Sequence, residues 1–480
     1  MPTRFARAAR LAAVVLSGGA LAAAAGCTST AGSGSGSSGG GGSGTPAGAA
    51  SSAAALTPAD IGAHPGAAWP AYGRDAARSG VAVGVAAPGA LSVSWRAHLD
   101  GAVYGQPLLV GPLVIAATEH DSIYALDQAT GQVVWRRHVG TPVPLDDLPC
   151  GNIDPLGITG TPVYDPGGGL VYAVAETTGF HHVLVGVSVR DGTLRVRRDI
   201  PAPDGEPRFD QQRPGLTIGD GRVYVAFGGL YGDCGPYRGS VVGVPLSGLG
   251  PLISYVVPTP REGAVWGTAG PVTGPDGTLY VSVGNGSEES TSFDGSDSVT
   301  ALSPGLHRTG IFAPSTWRED NAHDLDLGST QPALLPDGML LEDGKRGTAY
   351  LLDSAHLGGV GGQVDQADVC EAYGGAAVQG RVVYEPCAQG GLAAIDTTGR
   401  QIRVKWRGPA SAQGSPAIGG GAVWVTDYQA GRLYELDPAT GATRASLGLD
   451  ASLPHFSSMS MTGRHAFLGT MDGVVAVGGV

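Results

Sequence analysis

The sequence predicts an all-β chain closed into a β-propeller of about eight four-stranded antiparallel blades. Three observations predict it: a Gly/Pro-rich composition, a short pattern that recurs about eight times, and two lone strands at opposite ends of the ordered region. Gly (81) and Pro (34) are abundant among 480 residues, while charged residues are only 15%. That mixture disfavours a helical bundle and fits many short strands joined by tight turns.

The recurring pattern is a small residue, often Pro, then a Gly turn, then two to four β-formers. It reads GQPLLVGPLVIAA from Gly105, GTPVYDPGGGLVYAV from Gly160, PGLTIGDGRVYVAF from Pro214 and AGPVTGPDGTLYVSV from Ala269. It continues from Thr330, Gly374 and Gly414, and ends in a degenerate copy from Ser458. Intervals of roughly 40 to 60 residues lie in the range of propeller blades. A second element follows most copies, as in YALDQATGQVVW (Tyr124 to Trp135), AAIDTTGRQIRVKW (Ala393 to Trp406) and YELDPATGATRAS (Tyr434 to Ser446). Each is an alternating strand, an Asp-x-x-Thr-Gly turn and a further strand, which brings the count to four strands per blade. A lone blade cannot bury both faces, so its neighbours must supply the contacts.

Closure follows from the ends. Gly473 to Gly478 is an inner-type strand with no outer partner, and Leu91 to Trp95 is an outer-type strand with no inner partner. Pairing first with last removes two sheet edges. Trp69 to Gly80 is expected to cap the ring. The rival, two separate sandwiches, requires a linker, and no linker-like stretch interrupts residues 65–480.

The first 26 residues read as an export signal. Arg4, Arg7 and Arg10 precede an apolar run from Leu11 to Ala25, which ends in small residues before Cys27. That arrangement resembles a bacterial lipobox, with cleavage before Cys27 and acylation of its thiol. Residues 27–56 are almost wholly Gly, Ser, Ala and Thr, a flexible tether. Residues 57–480 are the propeller domain. The expected location is extracytoplasmic, held to the cell membrane by lipid. A net charge of −13 and the lack of any basic run past the first ten residues exclude nucleic acid as a partner.

Beyond Cys27 there are four cysteines, and four allow three pairings. A local loop favours Cys370 with Cys387, which leaves Cys150 with Cys234 to tie neighbouring blades. His181-His182 is read as a solvated loop. The acidic turn from Phe293 to Ser298 lacks the length of a calcium loop.

The Asp-x-x-Thr-Gly-x-x-x-Trp turns resemble the repeats of pyrroloquinoline-quinone (PQQ) propellers. The resemblance covers Trp69 to Val480 and is strongest from Val265 to Gly362, where the chain reads VWGTAGPVTGPDGTLYVSVGNG, then HDLDLGSTQPALL, then GKRGTAYLLD. It is also similar to the propeller lipoproteins of actinobacteria. By resemblance to PQQ-dependent alcohol dehydrogenases, Trp266 matches the residue that stacks under the quinone and Asn285 a calcium ligand. Asp326 matches the catalytic base and a metal neighbour, and Lys345 a cation touching the quinone oxygens. Such chemistry wants a flat aromatic floor, hard oxygen ligands for Ca²⁺ and a carboxylate to take a proton.

Two parts of that pattern are missing. The dehydrogenases carry adjacent cysteines over the quinone, and no two cysteines are adjacent here. Their Glu calcium ligand has no counterpart between Gly228 and Gly239, where Asp233 is only nearby. Structural readings stand beside the functional ones: Trp266 as filler between blades, Asn285 as a turn residue, Asp324 and Asp326 as partners of loop amides, and Lys345 paired with Glu342 or Asp343. The expected function is a surface-anchored, non-catalytic binding or scaffold module with protein partners on the propeller loops. The alternatives are a PQQ- and calcium-dependent alcohol or sugar dehydrogenase and an envelope protein assembly factor.

Overall fold

The computed structural model describes residues 55–287 and 291–480, so Cys27, the export signal and nearly all of the tether lie outside the described residues. The chain forms eight antiparallel blades in sequence order. Their inner strands are Leu108–Val110, Val163–Asp165, Thr217–Gly219, Val272–Thr273, Ala333–Leu334, Ala377–Gln379, Ala417–Gly419 and Met459–Thr462. Each falls within one of the eight sequence repeats. Blade 1 gains Ala67–Trp69 on its inner edge, blade 3 gains Asp210–Gln211, and blade 4 gains Gly359–Val360 in parallel on its outer edge.

Blade 8 closes the ring. Its outer strand is Ser92–His98, which pairs antiparallel with Gly473–Gly478 from Ser92↔Gly478 to His98↔Gly473. Sequence order thus supplies seven blades, and the two chain ends build the eighth together. Inner and middle strands such as Leu113–Thr118 and Gly473–Gly478 are buried at every position, because neighbouring blades cover both faces. The outer strand Ser92–His98 alternates between exposed and half-buried, the period-two mark of a strand with one face in water.

The Asp-x-x-Thr-Gly turn has a second task. Asp127 Oδ1 accepts from the Ala129 and Thr130 amides at 2.9 and 2.8 Å, and Asp437 repeats the pattern. The turn glycine then has φ near +72° in both copies, which disfavours any side chain. Space forbids one too. A Cβ on Gly441 would lie 2.4 Å from the Trp406 ring, and one on Gly131 would lie 2.6 Å from the Trp95 ring. Trp95 Nε1 donates to the Gln128 carbonyl and Trp406 Nε1 to the Pro438 carbonyl. The outer-strand tryptophan of one blade therefore docks on the glycine turn of the next.

Residues 69–82 do more than cap. They run across the inner edges of six blades. Trp69 Nε1 donates to Gln106 before blade 1, and the Pro70 carbonyl accepts from Tyr164 of blade 2. Arg78 reaches the Leu216 carbonyl at the entry to blade 3, and the Ala76 carbonyl accepts from Thr273 of blade 4. The Ser79 and Gly80 carbonyls accept from Val378 of blade 6 and Ile418 of blade 7. The segment plugs the central channel.

The structure joins Cys150 to Cys234 and Cys370 to Cys387. It corrects the reading of His181-His182. His182 lies inside the strand His181–Ser188 and is buried, with Nε2 3.3 Å from Glu176 Oε2 and its ring edge-on to Phe227. The run HHVLVGVS is a buried middle strand from its second residue onward.

Around His182 lies a group of buried acids: Glu119, Asp121, Glu176 and Asp210. Glu119 Oε2 accepts from the Gly157 amide at 2.8 Å, while both Asp121 oxygens lack partners. Burial pushes Glu119 up to about 8, with Glu176 adding to it, and burial and Glu119 push Asp121 up to about 8. The fold favours the protonated acid, so this contribution is complete below about pH 4.5 and is lost as pH rises through about 8. Glu119→Gln should therefore melt like the wild type at pH 5 but at a higher temperature at pH 8.5. Parallel thermal melts at the two pH values check this, and an equal shift at both would refute it.

Candidate active-site face

The resemblance-derived residues converge at one mouth of the ring. The helix Trp317–His323 organises them, ending at Asp324 in a left-handed conformation (φ 56°). From this helix Asn321 Oδ1 accepts from the Gly286 amide at 2.7 Å, and its Nδ2 donates to Ser296 Oγ at 3.0 Å. That fixes the segment carrying Asn285. Asp326 Oδ1 then accepts from the Asn285 amide at 2.5 Å. The Asn285 side-chain amide donates to Asp324 Oδ1 at 2.8 Å.

Lys345 completes the group. Its Nζ lies 2.6 Å from Asp326 Oδ2 and 2.7 Å from Asp324 Oδ1, and 5.8 Å from the centre of the Trp266 ring. Burial works against the ammonium, but Asp326 and then Asp324 outweigh it and raise its pKa above the ordinary lysine value. The pairing with Glu342 or Asp343 is not what forms. Glu342 accepts instead from Ser282 and Thr330, and Asp343 from the Gly344 amide, all in the buried interior. Asp326 does accept a loop amide, so that structural reading holds alongside the shared location, whereas Asn285 does not adopt the left-handed backbone of a turn residue.

The acidic turn adds a member that sequence reasoning passed over. Asp297 is fully buried, and its Oδ1 accepts from the Leu327 amide at 3.1 Å. Burial, reinforced by Asp326, holds its carboxyl well above the usual range.

Trp266 is half-buried against Phe209, Tyr237 and Ala264. The Arg213 guanidinium lies 5.9 Å from its ring centre and 5.2 Å from that of Phe456. Tyr373 stacks on Phe456 at 6.0 Å. Tyr104, Arg213, Trp266, Tyr373 and Phe456 each sit three to six residues ahead of an inner strand, in blades 1, 3, 4, 6 and 8. The repeats thus place large side chains in a ring around the axis. That shared offset was the signal that could have found Arg213, Tyr373 and Phe456.

The residues do not fit a calcium ion as arranged. Both Asp326 oxygens are engaged, one by an amide and one by Lys345. Asn285 Oδ1 is buried without a partner and is the one ligand atom of the proposed pair left free. Among the described residues no three His, Cys, Asp or Glu side chains are placed to hold a metal ion together. Asp233, the displaced substitute for the missing Glu, accepts from Tyr237 Oη at 2.7 Å. A flat ring laid on Trp266 would compete with Arg213 for the indole.

Comparisons with known proteins agree on the fold and divide on activity. A quinohemoprotein alcohol dehydrogenase, ADHIIG, from Pseudomonas putida HK5 is similar over 88% of this chain and 81% of its own, with a TM-score of 0.66 and 15% identity. The corresponding enzyme of Comamonas testosteroni gives 0.63 and 15%, over 87% of this chain and 81% of its own. BamB from Moraxella catarrhalis gives 0.56 and 14%, over 81% of this chain and 97% of its own. No curated protein matches. A family model described as outer membrane protein assembly factor BamB matches residues 77–232 and 328–446. The interval it leaves unmatched contains Trp266, Asn285 and Asp326. With more than half of its length matched, the chain belongs to this BamB-like family of PQQ-type propellers.

Proposed function

We propose that the protein is a non-catalytic binding module, exported and held at the membrane by lipid on Cys27, as in the propeller lipoproteins it resembles. One observation carries the non-catalytic reading. The Lys345 ammonium bridges Asp326 and Asp324, in the place where the resemblance asks for a metal. Both Asp326 oxygens are thereby engaged, one by Lys345 and one by the Asn285 amide, which leaves neither open to a substrate. The missing cysteine lid and the missing Glu ligand support the same reading. A rigid ring with loops gathered at one end suits docking of a partner. The family model's description as an assembly factor supports a protein partner.

The test is cofactor binding and turnover. Purified protein is titrated with PQQ, with and without Ca²⁺, while tryptophan fluorescence and dye reduction by alcohols and sugars are followed. We expect no calcium-dependent quenching and no turnover. Dye reduction that needs both additives and is abolished in Asp326→Asn would establish the dehydrogenase instead.

A further inference from the structure

The axis of the ring holds a pocket bounded in part by the Tyr104, Arg213 and Phe456 side chains described above. Tyr72, Tyr104, Thr159, Arg213, Thr268 and Phe456 bound about 310 Å³, including its open mouth. Tyr72, from the plug, forms the floor. The threonines stand ahead of blades 2 and 4, and aromatic rings form the rim.

Its polar lining is hydroxyls, an imidazole and a guanidinium, with no carboxylate. The hydroxyls of Tyr72, Thr159 and Thr268 are buried and make no well-formed hydrogen bond, although Thr268, Ser415 and Ser458 neighbour the Tyr72 hydroxyl and Glu119 that of Thr159. Leaving such groups unpaired is costly, so a native protein normally satisfies them. Arg213 makes no hydrogen bond and no ion pair among the described residues. It is held by the faces of Trp266 and Phe456, which leaves its N–H edges free. Beneath Tyr72 lies a second cation, Arg78, 1% exposed, which donates to the Tyr72 and Leu216 carbonyls and pairs with no carboxylate. The one carboxyl whose charge reaches Arg213 is Glu119. It is turned to the Gly157 amide, and burial keeps it protonated up to about pH 8.

One guanidinium with free N–H edges, set among hydroxyls and with no carboxylate on the lining, is complementary to negatively charged oxygen. We propose that this pocket binds a small oxyanion, a carboxylate or a phosphate, whose oxygens accept from the Arg213 guanidinium and from the Tyr72, Thr159 and Thr268 hydroxyls. The enclosed space is small and excludes a polymeric anion. The inference is independent of whether the neighbouring Asp326 face is catalytic.

Titration calorimetry on the purified full-length protein tests it, with sodium acetate and sodium phosphate as probes, each against chloride at equal ionic strength. We expect one probe to bind with one-to-one stoichiometry, and which one binds identifies the source of the oxyanion. Arg213→Met should weaken binding at least about tenfold, the loss of a charge-assisted contact. Thr268→Val, which removes only a hydroxyl, should weaken it several-fold and guards against a folding failure in the Arg213 variant. Binding of neither probe beyond chloride at about 10 mM would overturn the assignment. So would unchanged affinity in a folded Arg213→Met or in Thr268→Val.

Discussion

Lys345→Met should cost about 3 kcal/mol of stability, since removing one partner of a buried ion pair strands the other charge. The Lys345 side chain is 16% exposed and that of Asp326 9%, so little water can enter to compensate. Asp324 will lose less, being 76% exposed. The double variant Lys345→Met/Asp326→Asn should recover most of the loss, because it removes the stranded carboxylate as well. Urea melts of the wild type, the two single variants and the double variant give the coupling directly. Calcium chloride should then stabilise Lys345→Met and leave the wild type unchanged, because only the variant has vacated the position between the two aspartates. If the single variant melts with the wild type, Lys345 is not the internal cation of this face.

Val475→Asp should prevent folding. Val475 is fully buried in the strand where the two chain ends meet, opposite Arg96 on one side and Leu468 on the other. A carboxylate there has no partner and no water, a penalty of about 4 kcal/mol or more. An unclosed blade 8 also exposes the flanks of blades 1 and 7, so the damage spreads beyond one site. Met471→Asp, four residues earlier in the chain and 41% exposed, is the control and should be near neutral. Soluble yield and near-ultraviolet circular dichroism compare the two. Wild-type behaviour of Val475→Asp would mean that the ring does not depend on joining its ends.

The architecture was legible because each blade repeats local chemistry. Asp127, Thr130 and Gly131 announce a turn whatever surrounds them, and the eight small-residue patterns mark eight inner strands. Closure was legible because Leu91 to Trp95 and Gly473 to Gly478 each lacked a local partner. The face around Asp326 was reachable only through resemblance, and resemblance could not show that Lys345 would sit between Asp324 and Asp326. A side chain's choice among four nearby acids depends on geometry that local sequence does not encode. His182 was misread because two adjacent histidines look polar, while the six residues after them, VLVGVS, fix a buried strand. Asp297 was legible only as part of an acidic turn, yet with a left-handed φ of 42° it is fully buried and accepts from the Leu327 amide. Arg213, Trp266 and Phe456 meet although up to 243 residues separate them in the chain. Only the circular arrangement brings such distant positions together.

The strap of residues 69–82 has a kinetic corollary. Because it seals the channel behind Tyr72, the ring is a cup and not a tube, and traffic has a single doorway. A bound molecule must depart before its replacement can enter, so the measured off-rate should not depend on how much competitor is added. Any large partner seated over that doorway would trap whatever lies inside.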